Sequence, residues 1–208
     1  MVRVGNTSKQ KDWVLRLNIY KIMQKNKLAI VTGNPMKFRE LSSKLSDFFE
    51  CEQRDFSNYH EIQGTPDEII NHKLNAAFQE FKMPVLVDDV SFHFDMLNGF
   101  PGPYAKDFFH HISQYEVGER YTGEKIQAAC RLGLRFSEND YFVFLGLIHG
   151  TIVKARPEEK NIDHFDICVK IDDCDKRMMD LTLEEKNNLS HRGIAMNNLI
   201  NKIKDLIS

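Results

Sequence analysis

The sequence predicts a mixed α/β fold with a partly antiparallel sheet, and three patterns carry that prediction. A short apolar run, Leu28 to Val31, ends in a Gly-Asn turn, and Phe38, Leu41, Leu45 and Phe48 follow at helical spacing. From Ile126 to Phe136 every even position is apolar or small; a turn and a second apolar run, Tyr141 to Ile148, come next, as in a hairpin. Two further segments, opening at Thr65 and Ser190, carry helical stripes. Strands alternating with helices, plus one long hairpin, define the class.

Taken in order, the first pattern reads as strand, turn and amphipathic helix. Thr65-Pro66-Asp67-Glu68 offers an N-cap, a proline at the first helical position and a glutamate three residues after the cap; Ile69, Ala77, Phe78 and Phe81 then line one face. Met83 and Pro84 are expected to stop this helix. Val85-Leu86-Val87 reads as a buried strand running into Asp88 and Asp89, which places two carboxylates at its C-terminal end, with alternation turning only one into a cleft. Asn98 to Tyr104, NGFPGPY, has two prolines and two glycines in seven residues and must be a shaped loop, with Lys106 just beyond it. The odd positions of the alternating run include Gln127, Arg131 and Arg135, so that strand is expected to be half-buried. Ser137 to Asp140 supply the turn, and Ser190 caps a last helix striped by Ile194, Leu199, Ile203 and Leu206. No internal repeat is visible.

A chain of 208 residues fits one domain, or one domain of two lobes. We divide it into an N-terminal extension, 1–26, whose residues suit a tail, a short helix or an expression remnant, and a domain spanning 27–208. Charged residues at 28 % and apolar residues at 42 % describe a packed globular protein and exclude a wholly disordered one. A net charge of -2 gives no global basic field, which disfavours long nucleic acid polymers as partners; an anion must be met locally. Cys51, Cys130, Cys168 and Cys174 form no CxxC pair, so reduced thiols in the cytoplasm are expected rather than a zinc site or disulfides. The absence of any run of eighteen apolar residues predicts no membrane association.

A phosphate group needs N–H donors and a cation, and a strand-to-helix turn offers free backbone N–H groups at a positive helix end. Thr32, Gly33, Asn34 and Lys37 are suitably typed: Gly33 lets the backbone come close, Thr32 and Asn34 can donate, and Lys37 lies about one turn beyond Asn34. Taken alone, the stretch is equally what an ordinary capped helix uses. Asp88 and Asp89 suit a magnesium or general-base site, since hard cations prefer carboxylates; a solvated loop entry is the alternative. Glu61 is the best additional carboxylate, though an ordinary surface glutamate fits its position as well. His191 and Arg192 put two potential cations at a helix N-terminus, a conflict that a bound phosphate, or an acid beside the arginine, would relieve. His110, His111 and His149 lack ligand spacing, and Phe92, Phe94, Phe108 and Phe109 read as core.

In this order the segments resemble the inosine triphosphate pyrophosphatase family from residue 28 to about 204. The matching pieces are TGNPMK, EIQGTPDEI with Lys73 after it, VLVDD, NGFPGPYAK, His164-Phe165-Asp166, and EKNNLSHR ending at Arg192. The resemblance implies hydrolysis of ITP, dITP or XTP to the monophosphate and pyrophosphate, as a cleansing of the nucleotide pool. It implies Mg2+, with Mn2+ as a substitute, a cleft between two lobes of a long mixed sheet, and a homodimer. By position, Thr32, Asn34, Lys37, Lys73 and Lys106 would hold phosphates, with Gly33 and Asp88 in the same pocket. Lys186, His191 and Arg192 would complete the nucleotide site, Phe165 would pack on the base and Asp166 would stand beside it. Glu61 and Asp89 would serve the metal, Asp89 also activating water. Polar contacts are expected to read the 6-keto purine, because unpaired buried polar groups reject analogues.

Three departures from the family pattern bear on activity. A Ser or Thr usually follows the metal acid; here Val90 does, then Ser91, so a hydroxyl contact is displaced or lost. His164 stands where a glycine is usual, which predicts an altered base preference, and residues 150–157 lose a family Pro and Gly. Two other readings are therefore kept: a nucleotide-binding module with weak or no catalysis, and a pyrophosphatase of shifted base preference.

Overall fold

The computed structural model describes residues 27–174 and 176–207, and the extension 1–26 lies outside the described residues. Strand β1 (Lys27–Val31) has four consecutive buried residues, the pattern of a parallel strand covered on both faces. It pairs in parallel with β2 (Glu50–Arg54) and with residues 85–87 of β3 (Val85–Phe94). All further pairings are antiparallel: β5 (Lys125–Arg135) with β3, β6 (Tyr141–Ile152) with β5, β7 (Val169–Ile171) with the end of β6, and short β4 (Pro101–Gly102) with β3. One seven-stranded sheet results, in the order β2-β1-β3-β5-β6-β7 with β4 off that path. The mixed α/β class and the hairpin are as predicted.

Six helices accompany the sheet among the described residues: α1 (Pro35–Leu45), α2 (Pro66–Phe81), α3 (Ala105–His111), α4 (Gln114–Arg120), α5 (Leu183–Leu189) and α6 (His191–Ile207). Helix α1 ends at Leu45, so Phe48 lies in the following turn rather than on the helix. The capping box of α2 forms, with Glu68 donating its N–H to Thr65 Oγ1 at 3.3 Å and Thr65 its N–H to Glu68 Oε2 at 2.8 Å. Its stop comes before Met83 and Pro84: Lys82 turns left-handed at φ 52 and donates its N–H to the Phe78 carbonyl.

Two expectations about strands are corrected. Asp88 and Asp89 do not end β3 but sit mid-strand, because β5 continues to pair with β3 as far as Phe94. What ends at Val87 is β1's coverage, and β4 pairs only from Phe92, so over residues 88–91 β3 has a free side facing the mouth of the parallel strands. Strand β5 is not half-buried either: Ala129, Gly133 and Arg135 on its odd side are buried as well. Alternation reports only the period; α2 covers the second face. Arg135 is accommodated there by bonds to Asn75 and to the Ser137 and Glu138 carbonyls, its guanidinium 5.1 Å from the Phe78 ring centre.

The core lies in three parts. Leu28, Ile30, Leu86, Leu132 and Leu134 pack under α1 and α6 against Leu41, Leu45, Leu199 and Ile203. On the opposite face Ala29, Val31, Val85 and Val87 meet Ile70, Leu74 and Ala77 of α2. Further along the sheet Phe92, Phe94, Ile126 and Ile148 pack with Val117 of α4 and Ile167. Each fully buried Leu, Ile or Phe contributes about 1.5–3 kcal/mol. Residues 88–91 of β3 therefore lie at the seam between two apolar masses. Helix α6 reaches that seam only because position 146 is glycine: a Cβ there would stand 1.9 Å from the His191 carbonyl oxygen.

Candidate functional site

The turn after β1 is held by its own polar groups. Asn34 Oδ1 accepts from the N–H of Met36 at 2.9 Å and of Lys37 at 3.3 Å, capping α1, and Thr32 Oγ1 accepts from the Asn34 N–H at 3.2 Å. The Thr32 carbonyl accepts from Gln53 Nε2 at 2.9 Å, tying the turn to β2. Thr32, Gly33 and Asn34 are thus a rigid entry to α1. Lys37 leaves this first turn and crosses to β3.

There it meets Asp88, only 4 % exposed, at 2.9 Å. Arg192, from the first turn of α6, stands 3.6 Å from the same oxygen, and Lys73 of α2 donates to the Asp88 carbonyl at 2.8 Å. Burial alone would raise the Asp88 carboxyl, but Lys37, Arg192 and Lys73 outweigh it and hold the group well below the usual carboxylate range. Asp88 is ionised at any working pH.

Alternation turns Asp89 to the other face. Leu86 and Val90 pack with the α1–α6 core, whereas Val85 and Val87 pack under α2, so Asp88 shares the first face and Asp89 the second. Asp89 makes no hydrogen bond or ion pair among the described residues. Its carboxyl is pushed up to about 6, by burial first and then by Glu61 and Asp88, against the pull of Lys73. Glu61, 46 % exposed, reaches toward Lys73 at 3.9 Å from the loop before α2. Vicinal carboxylates in the sequence thus become one neutralised anion and one under-compensated base.

Arg192 is 15 % exposed, binds Glu40 of α1 at 3.2 Å and has a buried Nε without a partner. The second expected cation is not one. His191 is buried at 3 % exposure, both its ring nitrogens lack partners, and its pKa falls to about 3 through burial, reinforced by Arg192. The ring is neutral, so one charge, not two, opposes the helix dipole. Ser190 caps α6 as predicted, accepting from the Gly193 N–H at 3.0 Å.

His191 also joins an aromatic shelf: Phe165 lies 5.6 Å from it, 5.2 Å from Phe92 and 6.1 Å from Phe109, centre to centre. Asp166, beside Phe165, is 3 % exposed and pairs with Lys186 and with His164 Nδ1 at 3.4 Å. Burial would raise its carboxyl, yet bonds from His164 and Lys186 hold it well below the usual range. His164 therefore supplies the acid with a partner.

Lys37, Lys73, Asp88, Asp89, Glu61 and Arg192 are brought together, and Phe165, Asp166, Lys186 and His191 form an adjoining group. Lys106 joins neither: exposed on α3, it lines an open groove of about 880 Å³ with His110, Gln114, Lys160 and Asp163. Sequence reasoning missed Glu40 and Tyr59. Glu40 lies three residues beyond Lys37, on the same helix face, a legible signal. Tyr59, its hydroxyl 3.0 Å from His72 Nδ1, is raised to about 12 by burial and by nearby Glu61 and Asp89, and nothing local marked it.

A family model described as the Ham1 family matches residues 28–202. The inosine triphosphate pyrophosphatase of Encephalitozoon intestinalis is 33 % identical over 184 residues, covering 85 % of this chain and 92 % of that one. The enzyme of that name from Schizosaccharomyces pombe is 30 % identical over 172 residues, covering 81 % and 90 %. Among solved structures, a HAM1 protein from Coxiella burnetii superposes with a TM-score of 0.71 at 21 % identity, covering 86 % of this chain and 98 % of that one. A Mycobacterium abscessus protein described as a nucleoside-triphosphatase, dITP/XTP pyrophosphatase, gives 0.59 at 21 % identity, covering 85 % and 99 %.

Proposed function

This chain belongs to the Ham1 family, and from that premise we propose that it hydrolyses non-canonical purine nucleoside triphosphates, ITP, dITP and XTP, to the monophosphate and pyrophosphate. The observation that carries the reading is the convergence of Lys37, Lys73 and Arg192, from three separate helices, on the Asp88–Asp89 step of β3. Three cations around one buried carboxylate leave charge to offer an anion that enters above it.

In this reading Thr32, Gly33, Asn34, Lys37 and Lys73 hold the phosphates, Lys106 standing apart from them on α3, and Asp88 keeps Lys37 and Arg192 in place. Phe165 offers an aromatic face to the base, with Asp166, Lys186, His191 and Arg192 around it. The neutral His191, with two unpaired ring nitrogens, suits hydrogen bonding to the edge of a purine without competing for phosphate. Asp89 accepts the proton of a water that attacks the α-phosphorus; the α–β bridging bond breaks and its electrons leave with pyrophosphate.

The donor set fits a magnesium ion: Asp89 is a carboxylate short of a counterion, and Glu61 faces the same point. No group of three or more His, Cys, Asp or Glu is arranged to hold a metal among the described residues, so phosphate oxygens and water would complete the coordination. When bound, the ion would offset charge on the phosphates. Action as a homodimer in the cytoplasm is part of the proposal. No described helix is long and apolar enough to cross a membrane.

The decisive assay is pyrophosphate release from ITP, XTP, dUTP and ATP with magnesium. Turnover of ITP or XTP well above ATP is expected, and no turnover of any substrate refutes the reading. Tight ITP binding without turnover would mark a non-catalytic module, and preference for dUTP a shifted base specificity.

A further inference from the structure

The face of the sheet that carries Asp89 also carries a cation directly opposite it. Arg131 of β5 stands directly opposite Asp89 in the antiparallel ladder, and residues so paired share a face with Cβ atoms about 5 Å apart. An arginine side chain spans that distance easily. Arg131 is only 15 % exposed, yet it engages a single partner: Nε donates to Asp67 of α2 at 2.6 Å. Its two terminal amino groups make no hydrogen bond among the described residues. Asp67 is itself 77 % exposed, and such pairs contribute about 0–1 kcal/mol, so a sheltered guanidinium is held by a weak contact. Ser91, two residues beyond Asp89 on the same face, has a buried hydroxyl without a partner.

We propose that Arg131 is a further substrate-binding residue, whose free terminal amino groups take a phosphate oxygen of the bound triphosphate beside Asp89. The proposal rests on the pyrophosphatase reading of the same site. A guanidinium offers a planar, bidentate fork to phosphate, and only its Nε is now in use. The competing explanation, a tie that fastens α2 to the sheet, accounts for the Asp67 contact but leaves those amino groups idle.

The two explanations separate on Arg131→Gln, Arg131→Lys and Asp67→Asn in the full chain. The readouts are calorimetric binding of inorganic pyrophosphate with magnesium, KM and kcat for ITP, and thermal midpoint. Arg131→Gln should weaken pyrophosphate binding about ten- to hundredfold and raise KM for ITP, the value of a charge-assisted hydrogen bond. Arg131→Lys should recover part of it, and Asp67→Asn should leave both unchanged. The proposal is overturned if Arg131→Gln binds pyrophosphate like the unaltered protein, or if Asp67→Asn matches it in lost binding and lost midpoint. Should the unaltered chain bind pyrophosphate but hydrolyse no nucleotide, the pyrophosphatase reading fails by itself. Loss of pyrophosphate binding in Arg131→Gln would then still support the role of Arg131, and retention would overturn it.

Discussion

Replacing His191 by leucine should flatten the protein's response to acid. In the folded chain His191 titrates at about 3, against an ordinary 6.5, because burial and then Arg192 disfavour its charged form. Between those values the unfolded chain carries a proton on this ring and the folded chain does not, so stability falls as pH falls. The slope is about 1.4 kcal/mol per pH unit for one group, or about 2 kcal/mol between pH 6.5 and 5. That is a sizeable part of an ordinary unfolding free energy of about 5–15 kcal/mol. Asp89 acts with the opposite sign: held at about 6 rather than 3.8, it binds a proton in the folded chain first and adds stability as pH falls through 6. A profile of the unaltered protein therefore mixes two opposed slopes, and the difference between it and His191→Leu isolates the histidine. Asp166, Lys186 and Lys37 also bear on the ring, and all are retained in the variant. Urea unfolding of both proteins at pH 7.5, 6.5, 5.5 and 5.0 is the assay. Near pH 7 the variant should be at least as stable, since it removes two buried nitrogens that have no partners. Its advantage should then grow on acidification; parallel profiles would refute a buried, neutral His191.

Gly146→Ala places a methyl 1.9 Å from the His191 carbonyl and 2.4 Å from the Ala195 nitrogen, so α6 must move; a loss of at least about 3 kcal/mol is expected, read as a thermal midpoint lowered by roughly 6–12 °C. Lys186→Met leaves Asp166 with His164 alone and should cost about 3 kcal/mol at pH 7; Asp166→Asn in the same chain should recover much of it, and a double-mutant cycle without coupling would contradict the pairing. Asp89→Asn should lower ITP turnover by about 100-fold or more while ITP binding persists, and chelation of divalent cations should stop turnover of the unaltered protein; equal loss of binding and turnover in Asp89→Asn would count against a base.

Much of the fold was legible because its signals are local. The Thr65–Glu68 capping box, the Asn34 turn, the 137–140 hairpin and the Leu199–Ile203–Leu206 stripe each depend on residues within about a turn of one another, and all formed. The aligned motifs likewise named most members of the candidate site.

Partnership and charge state were not legible. Asp88 and Asp89 look identical in the chain, yet one meets Lys37 from 51 residues away and Arg192 from α6, whereas the other makes no direct ion pair among the described residues and feels Lys73 only at a distance. His191 reads as a cation until α6 is seen packed through Gly146 against the sheet, where burial makes the charged form too costly. Arg131 was one of three polar residues on an alternating strand until the β3–β5 register set it opposite Asp89. Residue type and spacing determine which groups a segment can present. Which of them end up charged, neutral, paired or free depends on the distances and dielectric that packing alone creates.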